Sequence, residues 1–418
     1  MPVVPAFDGF RAFAIMAIVL FHVVNSSGFL DRIGDSSLGG QLIWGTGPQL
    51  VDMLFIVSGF VVFLPTVAQG GHFGSVRGYS IRRGARLLPA YWLSLGVMLL
   101  VMATKSGVPM PGLGGLASNF SGQQTIVSLF SPHTLIGFGP DSPVWTLTLE
   151  IGFYVLLPFI AAAYFRRPLV GLAIALAIAV VWREAFSHID QVAGWVGIDV
   201  TNARATQLHL DSLIQLPSWA FSFAAGMTGA WAYVELRRRY DRARLEKMAA
   251  RALVVAGIAF ALFVYLAGRQ AIGDETLAAL PNLKVRESAF LSIGYTASLA
   301  TVMVALALAS PRLQLPFAYP LSRKLGDISY GIYLIQAPLI FFLVFHQVLS
   351  TDGGVGTLAA WTAIVISIAM VYGYLSARVV EQPIRRWAHR FGRQAQSASG
   401  ERPDRPVRPE SAPAGSGS

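Results

Sequence analysis

The feature that most constrains this chain is a series of apolar runs, each about as long as a bilayer's hydrocarbon core is thick. A helix needs about 20 mostly apolar residues to cross that core. Ten such runs occur, near 10–27, 48–68, 87–104, 144–163, 168–186, 214–234, 252–267, 289–309, 327–349 and 357–379. In lipid the backbone must satisfy its own hydrogen bonds, and for runs of this length the helix does so. The expected fold is therefore all-α, a polytopic membrane protein with about ten transmembrane helices. Composition agrees, because only 13% of the 418 residues are charged and 54% are hydrophobic. An average soluble domain is about a quarter charged.

The formal net charge of +10 would suggest nucleic acid if the basic residues lined one soluble face. They lie instead between apolar runs, as expected of loops held on the cytoplasmic side of a bilayer. An even number of spans puts both termini on one side. Loops on that side, with Arg11 and the stretch from Arg378 onward, carry 25 of the 32 Lys and Arg residues. Both termini are thus expected in the cytoplasm, and nucleic acid is set aside as a partner. The absence of cysteine excludes disulfides, thiolate metal sites and a cysteine nucleophile.

The first apolar run lacks a basic leader and a convincing small-x-small cleavage site near Ser26–Gly28, so it is expected to be a retained helix. The domain is expected to span 1–391. The tail 392–418 is rich in Pro, Ser, Gly and charge, and such a segment buries too little apolar surface to fold. The loop 105–143 holds too many Gly and Pro for a long helix and is expected to be irregular.

Ionisable residues inside a membrane helix are expensive and point to function. The first run carries Arg11 and His22 in FDGFRAFAIMAIVLFHVV. Eleven residues make three turns plus about 20°, so both share one helix face, separated by about 16 Å along the axis. Glu150, in PVWTLTLEIGFYVLLPF, and Asp52, in QLVDMLFIVSGFVVFLP, come to a depth similar to that of His22 if their runs start at the membrane edge. A histidine base flanked by two carboxylates that orient it fits such a grouping. A hydrogen-bonded triad that only fixes helix packing fits it equally well. On the other side, VRGYSIRRGARLLPAYW sets Arg82, Arg83 and Arg86 at the membrane boundary. Arg83 and Arg86 lie one turn apart and can turn two guanidiniums to one anion, phosphate being the natural ligand. The seven basic residues between Arg237 and Arg251 read as a headgroup-facing segment.

These segments together resemble the membrane-bound acyltransferase family 3, whose members move acyl groups onto sugars and related acceptors. FDGFRAFAIMAIVLFHV resembles that family's opening helix, VDMLFIVSGFVVFLP its second-helix motif, and SIRRGARLLPAYW its arginine motif. VWTLTLEIGFYVLLP resembles the tryptophan-to-glutamate motif that begins here at Trp145, LGDISYGIYLIQAPL the late serine–tyrosine motif, and VEQPIRRW the closing segment. Six motifs in the family's order cover roughly residues 5–390.

The resemblance implies an O-acyltransferase of the bacterial cell membrane. Its co-substrate would be acyl-CoA, acetyl-CoA above all, with Arg11, Arg83, Arg86 and Arg82 near the phosphates and no metal. His22 would act on acyl transfer to a hydroxyl of a sugar, glycan or glycosylated metabolite, as general base in preference to an acyl-histidine. Glu150, Asp52 and Tyr330 would orient groups around it, and Trp145, Tyr330, Tyr333 and Gln336 would face the acceptor. Helix-interface hydrogen bonding is an equally ordinary role for Tyr330 and Tyr333. Two departures stand out. Ile151 and Gly152 follow Glu150 where the family often has a further polar residue. YLIQAP, with Gln336 and Ala337, replaces the family's usual tyrosine-leucine-tryptophan-histidine-proline. Glutamine does not titrate, which lowers the expectation of chemistry on that helix. His209 and Asp211 are expected in a solvated loop. A transporter or acyl-group channel, and a non-catalytic membrane scaffold, are the competing functional classes.

Overall fold

The computed structural model describes residues 4–105, 109–130, 144–195, 197–271 and 289–388. The tail 392–418 falls outside them. No strand occurs among the described residues. Ten long helices follow the ten apolar runs. These are α1 (Pro5–Ser26), α2 (Val51–Ala68), α3 (Val76–Ala103), α4 (Trp145–Arg166), α5 (Pro168–Ser187), α6 (Ala220–Arg239), α7 (Arg242–Ala271), α8 (Ala289–Leu308), α9 (Pro320–Phe345) and α10 (Val355–Ser376).

Local chemistry sets their ends. Pro5, Pro168 and Pro320 open α1, α5 and α9 in the first turn, where a missing N–H loses nothing. Ser75 caps α3 by accepting from the Gly78 N–H at 3.2 Å. Nine helical stretches among the described residues are long and apolar enough to cross a membrane. The expected segment 214–234 is the exception. It forms the 20-residue α6, whose last turn is Arg237–Arg239, too polar to qualify by hydropathy.

What α6 lacks in hydropathy it gains in packing, since its contact with α2 is the most extensive between any two helices. A Cβ on Gly59 of α2 would stand 2.2 Å from the Phe223 carbonyl oxygen, and one on Gly226 of α6 would stand 2.2 Å from that of Ile56. The two backbones touch through reciprocal glycines, the usual means of close approach between helices in lipid. Around this pair, α1 packs on α2 and α9, α9 on α3 and α10, and α7 on α8. The periphery is apolar and bare: Leu169, Ile174 and Val181 of α5, Val255 and Ile258 of α7, and Val371 of α10 are all exposed. Apolar faces of that extent call for lipid rather than water. The protein is an all-α, multi-pass integral membrane protein.

Two expectations about loops need correction. Residues 109–130 hold two short helices, Leu113–Phe120 and Gln124–Ser128, separated by Gly122 at φ 68°. His209 and Asp211 lie on the helix Asn202–Leu213, which Thr201 caps. Asp211 is buried and is no part of a solvated loop.

Candidate active site

Helices α1 and α9 lie side by side in parallel, and two hydrogen bonds set their register. Arg11 Nη2 donates to the Gly326 carbonyl at 2.7 Å. Eleven residues along α1 and ten along α9, His22 Nδ1 meets Gln336 Oε1 at 3.2 Å. An amide oxygen only accepts, so in this arrangement Nδ1 carries the hydrogen and the lone pair resides on Nε2. Gln336 is fully buried and His22 half-buried. In that arrangement the other nitrogen of the imidazole is left able to take a proton.

Toward the other end of the same two helices lies a cavity of about 80 Å³, walled by α1, α2, α3, α4 and α9. Arg11, Arg83, Arg86, Glu150, Tyr154 and Tyr330 line its polar part. Glu150 accepts from Ser58 Oγ at 2.9 Å and from the hydroxyl of Tyr154, one turn further along α4. Arg83 stands over the Tyr154 ring, 5.2 Å from its centroid. Tyr330 donates to the Leu87 carbonyl at 2.9 Å, and Thr146 and Tyr333 hydroxyls pair at 2.9 Å. Asp8 approaches Arg11 at 3.9 Å, yet the buried Arg11 Nε has no hydrogen-bond partner. Three guanidiniums thus face two carboxylates in a pocket with a spare buried N–H, which suits an anion with fork-like acceptors. Arg82, rotated by about 100° from Arg83 around α3, does not line it.

The cavity stops short of the histidine, since neither His22 nor Gln336 lines it. Its lining reaches Ile15 on α1 and Tyr333 and Leu334 on α9, and Gln336 comes within one further turn of Tyr333.

Neither expected carboxylate is bonded to His22. Asp52 is 1% exposed, and its Oδ1 accepts from Ser222 of α6 at 2.5 Å and Thr296 of α8 at 2.8 Å. It fastens α2 to two neighbours. Arg183 of α5 lies in the same polar region, donating to the Ser218 carbonyl at 3.1 Å and to Ser292 Oγ at 2.9 Å. Glu150 belongs to the arginine cavity. Its companions in that cavity are Arg11, Arg83 and Arg86 and not His22, so Glu150 shares the level of Arg11 and not that of the histidine. Trp145, at the start of α4, packs in an aromatic cluster with Trp219, centroids 5.6 Å apart, and Phe55, 6.2 Å; Phe55 lines the cavity and Trp145 does not.

Sequence reasoning missed two partners of Glu150. Tyr154 was within reach, since it follows Glu150 by four residues on the same helix face. Ser58 carries no comparable signal, because its partner comes from a distant helix. Gln336, expected to face the acceptor and discounted as unable to titrate, is the side chain bonded to His22.

A family model described as an acyltransferase domain matches residues 4–376. Among curated relatives, nodulation protein 10 of Rhizobium leguminosarum bv. viciae is 25% identical over 184 residues, 41% of this chain and 48% of that protein. Acyltransferase MdmB of Streptomyces mycarofaciens is 25% identical over 156 residues, 37% of this chain and 38% of MdmB. Peptidoglycan O-acetyltransferase OatA of Listeria monocytogenes is 25% identical over 163 residues, 37% of this chain and 24% of OatA. The chain thus spans half or less of the length of these relatives. No solved structure matches it. The matched range takes in Arg11, His22, the arginines of α3, Glu150 and Gln336, and the protein belongs to the acyltransferase-domain family.

Proposed function

We propose that the protein is an integral-membrane O-acyltransferase that takes an acyl group, acetyl in the first instance, from acyl-CoA and places it on a hydroxyl of a carbohydrate or glycosylated metabolite. The observation that carries this reading is the pairing of α1 with α9. One helix pair presents a guanidinium cluster at one level and an imidazole hydrogen-bonded to Gln336 about 16 Å away. A thioester on an extended arm matches that division, with phosphates at one end and the reacting carbonyl at the other. The names of the relatives, an acyltransferase and a peptidoglycan O-acetyltransferase, support the same class of reaction.

In this mechanism Arg11, Arg83 and Arg86 hold the phosphates. The lone pair on His22 Nε2 accepts the proton of the acceptor hydroxyl as its oxygen attacks the thioester carbonyl carbon. The tetrahedral adduct collapses, the carbon–sulfur bond breaks, and the imidazolium returns its proton to the departing thiolate. Gln336 keeps Nδ1–H engaged throughout, so the ring neither flips nor changes tautomer. Glu150 limits the excess positive charge of the phosphate pocket and holds Tyr154. The excess of basic residues beside the arginine end supports a cytoplasmic position for that end, and the bacterial cell membrane is the proposed location.

The test is thiol release from acetyl-CoA by purified protein in detergent, read together with acetyl-CoA binding, for wild type and His22→Ala. Binding in both proteins, with release reduced about 10²–10⁴-fold in the variant, is the expected result for loss of a general base. Undiminished release by His22→Ala overturns the role of the histidine. Absence of both binding and release in the wild type overturns the donor.

A further inference from the structure

The closing motif VEQPIRRW takes no part in the mechanism above, yet it is where the backbone departs from α-helical form. After α10 the chain makes a π-helical turn, Ala377–Glu381, before helix resumes through Ala388. Such turns insert one residue into a helix and concentrate at functional sites. Here the turn leaves Val379 71% exposed and Glu381 3% exposed. It packs on α3, the helix of Arg83 and Arg86, and on α9, the helix that receives Arg11.

A buried carboxylate requires partners. Ser376 Oγ donates to Glu381 Oε1 at 3.2 Å, and the cations whose fields reach Glu381 are Arg385, Arg86 and Arg11. Arg385 follows Glu381 by four residues and shares its helix face. The charges acting on Arg385 are those of Arg86, Glu381, Asp327 and Arg83. Arg386, next in sequence, is exposed. Arg385 therefore lies within electrostatic reach of two of the pocket arginines, Arg86 and Arg83, on a segment that packs against their helix. Because α10 runs away from the His22 end, where the Gly353 N–H donates to the Ser27 carbonyl at 3.0 Å, Arg385 is about 6 Å further from His22 than Glu381 is. It does not line the cavity itself and stands outside the three arginines that do.

Like charges gathered in a half-buried place call for an anion that bridges them. Glu381 supplies one such charge, but it faces Arg385, Arg86 and Arg11 together. Coenzyme A carries a pyrophosphate next to its pantetheine arm and a separate phosphate on the ribose 3′ position, farther from the thioester. We propose that Arg385 is the outermost cation of the phosphate site and takes the ribose 3′-phosphate, with Glu381, one turn before it, as the positioning residue whose negative charge favours its place there. This rests on the acyl-CoA reading given above and adds to it a basis for recognising the nucleotide end of the donor.

The test compares binding of acetyl-CoA with that of 3′-dephospho-acetyl-CoA to purified protein in detergent. Wild type should favour the phosphorylated form by about tenfold, the value of one charge-assisted contact. Arg385→Gln should bind the two forms alike, Arg385→Lys should restore part of the preference, and Arg386→Gln should keep it whole. Glu381→Gln should narrow the preference in a wild-type background and change nothing further beside Arg385→Gln. If Arg385→Gln does not stay monodisperse, Arg385→Lys and Glu381→Gln carry the comparison. Equal binding of both forms by wild type, or a preference undiminished in Arg385→Gln, overturns the inference and leaves the donor reading standing. Failure of wild type to bind either form overturns the donor reading itself.

Discussion

His22 and Gln336 meet at 3.2 Å across two parallel helices although 314 positions separate them in the chain. The same helices meet again at Arg11 and the Gly326 carbonyl, so the distance between histidine and arginine along α1 is reproduced on α9. That matched spacing ties the candidate base to the candidate phosphate site, and the predictions below test its parts.

Gln336→Leu keeps the volume of the side chain and removes its oxygen. Nδ1 then loses its acceptor, and the ring is free to turn or to change tautomer. A net hydrogen bond of about 0.5–1.5 kcal/mol corresponds to a roughly two- to tenfold fall in kcat, with KM for acyl-CoA unchanged because the arginine pocket is untouched. Steady-state kinetics with acetyl-CoA and a sugar acceptor separates the two constants. A rise in KM alone would place Gln336 in donor binding instead.

The α3 arginines should divide by position. Arg83→Gln and Arg86→Gln are each expected to raise KM for acetyl-CoA about tenfold or more, with kcat little changed, as for contacts made equally in the ground and transition states. Arg82→Gln, which alters a guanidinium that does not line the cavity, should leave both constants near wild type. An equal effect of all three would mean that the segment acts by its total charge.

Asp52 should act on stability. Asp52→Leu leaves the hydroxyls of Ser222 and Thr296 without their acceptor, at a cost of about 1–3 kcal/mol for an unmet buried group. Thermal unfolding in detergent should show a lower midpoint, while the protein that remains folded keeps its kcat. Asp52→Asn retains an oxygen and should fall between the two. A normal midpoint with lost turnover would return Asp52 to the catalytic group.

Gly226→Ala tests the α2–α6 contact. Its methyl group would lie 2.2 Å from the Ile56 carbonyl oxygen, so the helices must separate, at about 1–3 kcal/mol for an overpacked interface. The expected result is a reduced yield of monodisperse protein and a lower unfolding midpoint. An unchanged midpoint would show that the helices pack less closely there.

The spans were legible because each buries or bathes a whole helix in apolar surroundings, and that need is met by local composition alone. Arg11 and His22 were legible as a pair for a similar reason, since the pitch of one helix places them on one face. Glu150 was expected beside His22 but shares a cavity with Arg11, Arg83 and Arg86, because position along one helix does not show which helices face it. Asp52 looked like a companion of His22 by depth, but depth fixes one coordinate and leaves the direction around the bundle open. Gln336 was expected to face the acceptor and stood out as a departure from a motif, with no sign of its contact with His22. Its role follows from the register of α1 against α9, which depends on helices joined by most of the chain.

That register also has a consequence for synthesis. The partners of Arg11 and His22 lie 315 and 314 positions later, and translation at about 5–20 residues per second takes roughly 15–60 s to reach them. Through that interval α1 holds an arginine and a histidine in or beside lipid without the helix that receives them, and unpartnered ionisable groups there disfavour insertion. The first helix of the protein is therefore dependent on one of the last, and a chain that stops before α9 should release α1 from the membrane or be degraded, however apolar its other residues are.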